Sequence, residues 1–215
     1  MNRTGNDPVI ITCALTGGIH GKEANPNLPE QPDEIVEQGV EAWRAGAAIL
    51  HVHARNPDGS NTMDQAIYSE LHERLCAETD AVIQLTTGGS PMLSVEERLN
   101  TVFLAPEMCS LNMGLLNFFI RGEQVFFANH RSDIERFAHE ISARDVKPEL
   151  EVYNSAMLEE VDYLLGWGSS SRHTRSTSSS IRRRRVGSGG RHGTSSTCWT
   201  DCGTCRCPKK ISVST

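Results

Sequence analysis

Lysine is nearly missing from the first 165 residues, which contain only Lys22 and Lys147. This stretch holds 26 of the 27 acidic side chains but 11 of the 21 basic ones, a net charge of −15. So acidic a body offers no footing for nucleic acid, whose backbone is held by clustered cations. It suits a high-salt interior, where self-repulsion is screened. The apolar run Val9 to Leu15 is too short for a membrane span or a signal peptide. Cys13, Cys76 and Cys109 are scattered through apolar stretches, as reduced core thiols are, so the expected location is cytoplasmic.

Acidic residues are in turn missing from the end of the chain. None lies between Asp162 and Asp201, and residues 166–215 carry ten basic side chains against one Asp, a net of +9. Nineteen of these last 50 residues are Ser or Thr, too many for an apolar stripe to form. Residues 1–165 therefore read as one unit and 166–215 as a separate Ser-, Arg- and Cys-rich tail. One reading of the tail is a disordered basic segment. Another is a zinc site from Cys198, Cys202, Cys205 and Cys207, although all four fall within ten residues and no partner pair follows. The reading adopted is a shift of translation frame near residue 165, because residues 166–180 can be given codons that encode acidic residues and a buried strand two bases later.

Within the body, strand-like runs alternate with helical patterns. Strands are expected at 9–15, covered on both faces, and at 47–53, 81–87, 107–112 and 149–153. Between them, 32–45, 64–77, 94–104 and a segment from Ser132 carry helical periodicity, and a fifth helix begins at Ala156. Ser94-x-x-Glu97 and Ser132-x-x-Glu135 read as capping boxes. Such alternation implies a parallel sheet with crossover helices, either open and doubly wound or part of a barrel. Polar residues gather after successive strands and in a barrel would share the C-terminal mouth.

His51-Val-His53-Ala-Arg55 is the sharpest motif. Residues i and i+2 of a strand face the same way, so both imidazoles could reach one divalent metal. Two hydrogen-bonded histidines would explain the same pattern, and a catalytic zinc site needs a third protein ligand. Thr86-Thr87-Gly88-Gly89 either cradles an anion or makes a tight turn. Ser110 and Asn112, and likewise Glu149 and Glu151, form i, i+2 pairs that either meet a substrate or are satisfied or solvated where they stand. His20 is a weaker candidate; His72 and His139 read as solvent-facing, and His130 is uncommitted.

The segments ITCALTG at 11–17, NPNLP at 25–29, AGAAILHVHAR at 45–55, LTTGG at 85–89, PEMCSLNMG at 106–114 and PELEVY at 148–153 together resemble the β-keto acid cleavage enzymes. The resemblance implies an α/β (β/α)8 TIM barrel, incomplete here at about five of eight units. It implies zinc-dependent conversion of a β-keto acid and acetyl-CoA to acetoacetate and a new acyl-CoA, in a homo-oligomer when the barrel is whole. By position His51 and His53 match the metal-binding histidines, and Thr86, Gly89 and Ser110 match substrate contacts, with Asn112 beside them. Ile19 stands where members that cleave the amino-keto acid have a glutamate, so a different β-keto acid is expected. The family's third metal ligand and two catalytic residues have no counterpart in 166–215, so this chain is expected to be inactive. Two alternatives are a non-catalytic half-barrel whose basic tail binds acidic partners, and a different TIM-barrel aldolase.

Overall fold

The structure, a computed structural model, describes residues 9–120 and 122–166 and the helical backbone on to Ser170. The tail's cysteine cluster, its basic run and the question of its reading frame lie outside the described residues. In chain order the elements are β1 (Thr12–Ala14), α1 (Pro32–Arg44), β2 (Ile49–Val52), β3 (Ala54–Arg55) and β4 (Asn61–Thr62). Then come α2 (Gln65–Glu78), β5 (Val82–Leu85), α3 (Val95–Arg98), α4 (Asn100–Phe103) and β6 (Met108–Asn112). β7 (Leu115–Ile120), β8 (Glu123–Ala128), α5 (Arg131–Ala143), β9 (Lys147–Glu151) and α6 (Ala156–Ser170) complete the list.

Five strands form one sheet in the order β1-β2-β5-β6-β9, every neighbour parallel. This order decides what periodicity left open. A doubly wound sheet reverses direction at a switch point, with helices on both faces. Here each strand is laid beside the one before it, and right-handed crossovers then put every helix on the same face. The result is a parallel half-barrel of five strands with helices outside.

Alternation along each strand divides the two faces. Leu50, Val52, Ile83 and Leu85 pack under α1 and α2 with Ile35, Val36, Val40, Tyr68, Leu71 and Leu75. Cys109, Leu111 and Met113 pack with Ile134, Phe137, Ile141 and Met157. The intervening residues share the inner face: Ala14 and Thr16, His51 and His53, Gln84 and Thr86, Ser110 and Asn112, Glu149 and Glu151. Leu71, fully buried in the first cluster, measures what this packing is worth. Leu71→Ala should cost about 3 kcal/mol in urea unfolding, through lost transfer energy and a residual cavity.

Several local expectations are corrected. The first strand is confined to Thr12–Ala14 and is not covered on both faces, because β1 is a sheet edge; Val9, Ile10 and Ile11 are exposed. The 94–104 helix is two short pieces, which turn at Leu99. The Ser94–Glu97 capping box is present, but α5 starts earlier than Ser132 implied, with His130 as N-cap and Asp133 completing the box. β7 and β8 form an antiparallel hairpin apart from the main sheet, a pair of strands the repeat of strand and helix did not predict. His139 is exposed as expected, whereas His72 is half-buried and lies beside Cys76. α6 continues past residue 165 to Ser170. Among the described residues, no helix is long and apolar enough to cross a membrane.

Candidate active site at the C-terminal ends of the strands

A cavity of about 460 Å³ lies on the inner face. Its lining includes Thr16 and Gly17 after β1, His51 and His53 from β2, Gln84 from β5, and Glu149, Glu151 and Tyr153 from β9 or just beyond it. These are the ends of strands, where a barrel builds its chemistry.

The histidines meet as their spacing implies. Their ring centroids are 5.1 Å apart, edge to face. Behind them stands Gln84, fully buried. Its Oε1 lies 2.7 Å from His51 Nδ1, and its Nε2 donates to Glu149 Oε2. Burial pushes the His53 imidazole down to about 3, aided by the neighbouring His51 and Arg55. Burial also raises the Glu151 carboxyl, with Glu149 adding to the rise and His51 opposing it.

The His53 shift has a consequence for stability. The unfolded chain takes up a proton near 6.5, while the folded ring refuses it down to about 3. This contribution to stability is therefore complete above pH 6.5 and is lost as pH falls from 6.5 toward 3. In metal-free urea titrations, His53→Gln should flatten that acid slope by up to one proton, at most about 1.4 kcal/mol per pH unit.

The loops carrying Gly18 and Gly88 both approach the His53 ring, and Arg55 ties down the first of them. Buried Arg55 donates to the carbonyls of Gly17 and His20 in the loop after β1, and to Gly59 in its own turn. Asn61 Nδ2 donates to Gly18 O. A Cβ on Gly18 would stand 2.1 Å from Gly89 O and 3.6 Å from His53 Cε1, so this close approach admits only glycine. Across the site, the loop after β5 hangs from the short helices. Arg98 Nε donates to Thr87 O at 2.7 Å and Thr101 Oγ1 to Thr86 O at 2.8 Å. Arg98 is buried between Phe127 and Phe137, with its guanidinium 4.5 and 5.0 Å from the ring centroids. Burial lowers its basicity to about 10.

The four residues expected to contact substrate take a different position from the histidines. Thr86, Ser110 and Asn112 are buried on the inner face, and none of the four lines the cavity. Thr86 Oγ1 accepts the Gly88 N–H at 2.9 Å, which makes this segment a self-bonded turn. Gly89 supplies its left-handed residue, at φ +64°. Ser110 bonds Glu151, and its carbonyl accepts from Thr87 at 2.7 Å. Asn112 Oδ1 accepts the Gly114 N–H at 3.1 Å. His20 contributes its carbonyl to Arg55, and Glu149 and Glu151 face the cavity. Gln84 went unnoticed in the sequence; Thr16 is among the polar residues that gather after the strands, and its hydroxyl is buried without an intramolecular partner and borders the cavity.

The fold and site together define a parallel α/β half-barrel with a histidine pair at its C-terminal mouth. A sequence profile of the beta-keto acid cleavage enzymes matches residues 8–177, and the chain belongs to that family. It is 46% identical over 140 residues to a 3,5-dioxohexanoate:acetyl-CoA acetone transferase of Paraburkholderia graminis, covering 64% of this chain and 45% of that protein. It is 37% identical over 159 residues to a 3-keto-5-aminohexanoate cleavage enzyme of Acetoanaerobium sticklandii, covering 71% and 55%. The chain thus spans about half the length of these relatives. Among solved structures, ObcA in a ternary complex with a C4-CoA adduct and oxalate superposes with a TM-score of 0.55 at 20% identity. That match covers 66% of this chain and 34% of the other and speaks to the fold.

Proposed function

We propose that this chain supplies the zinc-binding histidines and the substrate-facing loops of a β-keto acid cleavage site. In the full reaction the acyl part of a β-keto acid passes to the CoA thiol, while its two-carbon carboxylate fragment joins the acetyl group. The products are acetoacetate and a new acyl-CoA. The observation that supports this reading is the pair of imidazoles on one face of β2, at a cavity that opens at the strand ends.

The donor set fits zinc in part. His53 is held neutral by burial, as a ligating imidazole must be. A closed catalytic set takes three protein ligands, and among the described residues no group of three His, Cys, Asp or Glu side chains could hold a metal. Zinc, when bound, supplies Lewis-acid polarisation of a keto oxygen. The chain itself contributes the enclosing loops around His53, the Gln84 support behind His51, and the carboxylates of Glu149 and Glu151, which border the volume where substrate would sit.

On substrate choice, apolar Ile19 offers no charge for an amino group. The Paraburkholderia relative is named for a dioxo acid without one, so the reading favours a β-keto acid without an ammonium tail. Calorimetric titration with zinc chloride tests the site. Weak binding of one ion is the expected result, lost in both His51→Gln and His53→Gln, with no acetoacetate formed from 3,5-dioxohexanoate and acetyl-CoA by this chain alone. Undiminished zinc binding in both variants would place the metal elsewhere and remove the reading.

A further inference from the structure

Gln84 is an amide fixed at both ends, and its two ends are chemically unlike. It lies on β5 and is fully buried. On one side is the Glu149 carboxylate on β9, 65 residues away in sequence, which receives its Nε2–H. On the other is His51 Nδ1 on β2, 2.7 Å from its Oε1. A carboxylate accepts hydrogen bonds and does not donate them. The amide must therefore turn its NH2 toward Glu149 and its carbonyl oxygen toward His51. A carbonyl oxygen can only accept, so the His51 nitrogen facing it must be an N–H. In the neutral ring this leaves the lone pair on Nε2.

We infer that Gln84 is a positioning residue that carries the orientation set by Glu149 across the sheet and holds His51 as its Nδ1–H tautomer, with Nε2 as the nitrogen free to bind a ligand. The inference deepens the metal-site reading above in one respect, the choice of ligating atom. The tautomer itself holds with or without zinc. A hydrogen bond from the second ring nitrogen typically fixes the ligating face of a histidine and tightens metal binding. Here an amide intervenes between imidazole and carboxylate, so the imidazole gains orientation without direct contact with a negative charge.

The test uses the full chain with 15N-labelled histidine, metal-free and at pH 8, in long-range 1H–15N correlation spectra. The His51 signals are identified by their loss in His51→Gln. The expected wild-type result is a proton on Nδ1 and a nonprotonated Nε2. Gln84→Leu should release the ring toward the Nε2–H form that free imidazole side chains prefer. Glu149→Gln is the second variant, because it leaves the strand packing intact if Gln84→Leu disturbs folding. It removes the acceptor-only partner, so the amide can turn over and both tautomers should appear. Zinc chloride affinity should fall about 10- to 100-fold in either variant. A wild-type His51 protonated on Nε2, or a tautomer unchanged in Glu149→Gln, would overturn the assignment. The predicted tautomers with no zinc binding in the wild type would leave Gln84's role standing and remove the metal reading instead.

Discussion

Arg55→Met should destabilise the chain by about 3 kcal/mol and loosen the loop after β1 and the turn at Gly59. The side chain is buried, and its guanidinium bonds the carbonyls of Gly17, His20 and Gly59. Methionine approximates the stem's volume, so the loss falls mainly on three carbonyls left to find water. Hydrogen bonds to charged groups contribute about 1.5–3 kcal/mol each, and their sum is tempered because the loops can relax toward solvent. Arg55→Lys should recover little, since one ammonium cannot reproduce a fork of donors aimed at separate carbonyls. Urea unfolding gives the stability. Hydrogen exchange at residues 17–20 gives the local effect, which should exceed that in α5.

Gly18→Ala should damage the site at a cost of about 2 kcal/mol or more. The added methyl would sit 2.1 Å from the Gly89 carbonyl oxygen. That neighbour is backbone and cannot rotate away like a side chain. Gly89 is itself held in a left-handed conformation, and its own Cβ position is crowded by Met63 Sδ at 2.8 Å, so the loop has little room to retreat. The two loops must then separate, which opens His53 to water. The sharper readout is the His53 imidazole: its titration should move up from about 3 toward the ordinary histidine range. An unchanged His53 titration, by NMR, would show that the loops are not what keeps it dry.

Much of the architecture could be read from the order of residue types. The buried runs around Leu50 and Ile83 and the spacing-of-four pattern of Ile67, Leu71 and Leu75 reflect an elementary demand, that one face of each element meet a core. The sheet's strand order could not be read this way, because strand–helix alternation is common to barrels and doubly wound sheets. The β7–β8 hairpin did leave a signal. Leu115 to Ile120 and Glu123 to Ala128 are rich in β-formers and flank a short turn containing Gly122 at φ +84°; the strand–helix repeat drew attention away from it. The His51 and His53 pair was legible because period two in a strand fixes a shared face. Gln84 was not, since a lone glutamine in an apolar strand gives no hint of partners on β2 and β9. Arg98 drew no notice in the sequence, and only the packing of Phe127 and Phe137 shows it buried.

Completed by the corresponding part of a relative, this half-barrel should serve a whole cleavage site. Residues 9–170 joined to the part of the Paraburkholderia graminis transferase beyond its matched segment should give a folded, zinc-binding protein. Assayed for acetoacetate from 3,5-dioxohexanoate and acetyl-CoA, it should turn over, and His51→Gln or His53→Gln should each abolish that activity. A folded, zinc-loaded chimera that is inactive while the parent transferase works, or one that stays active without either histidine, would contradict the assignment of this site.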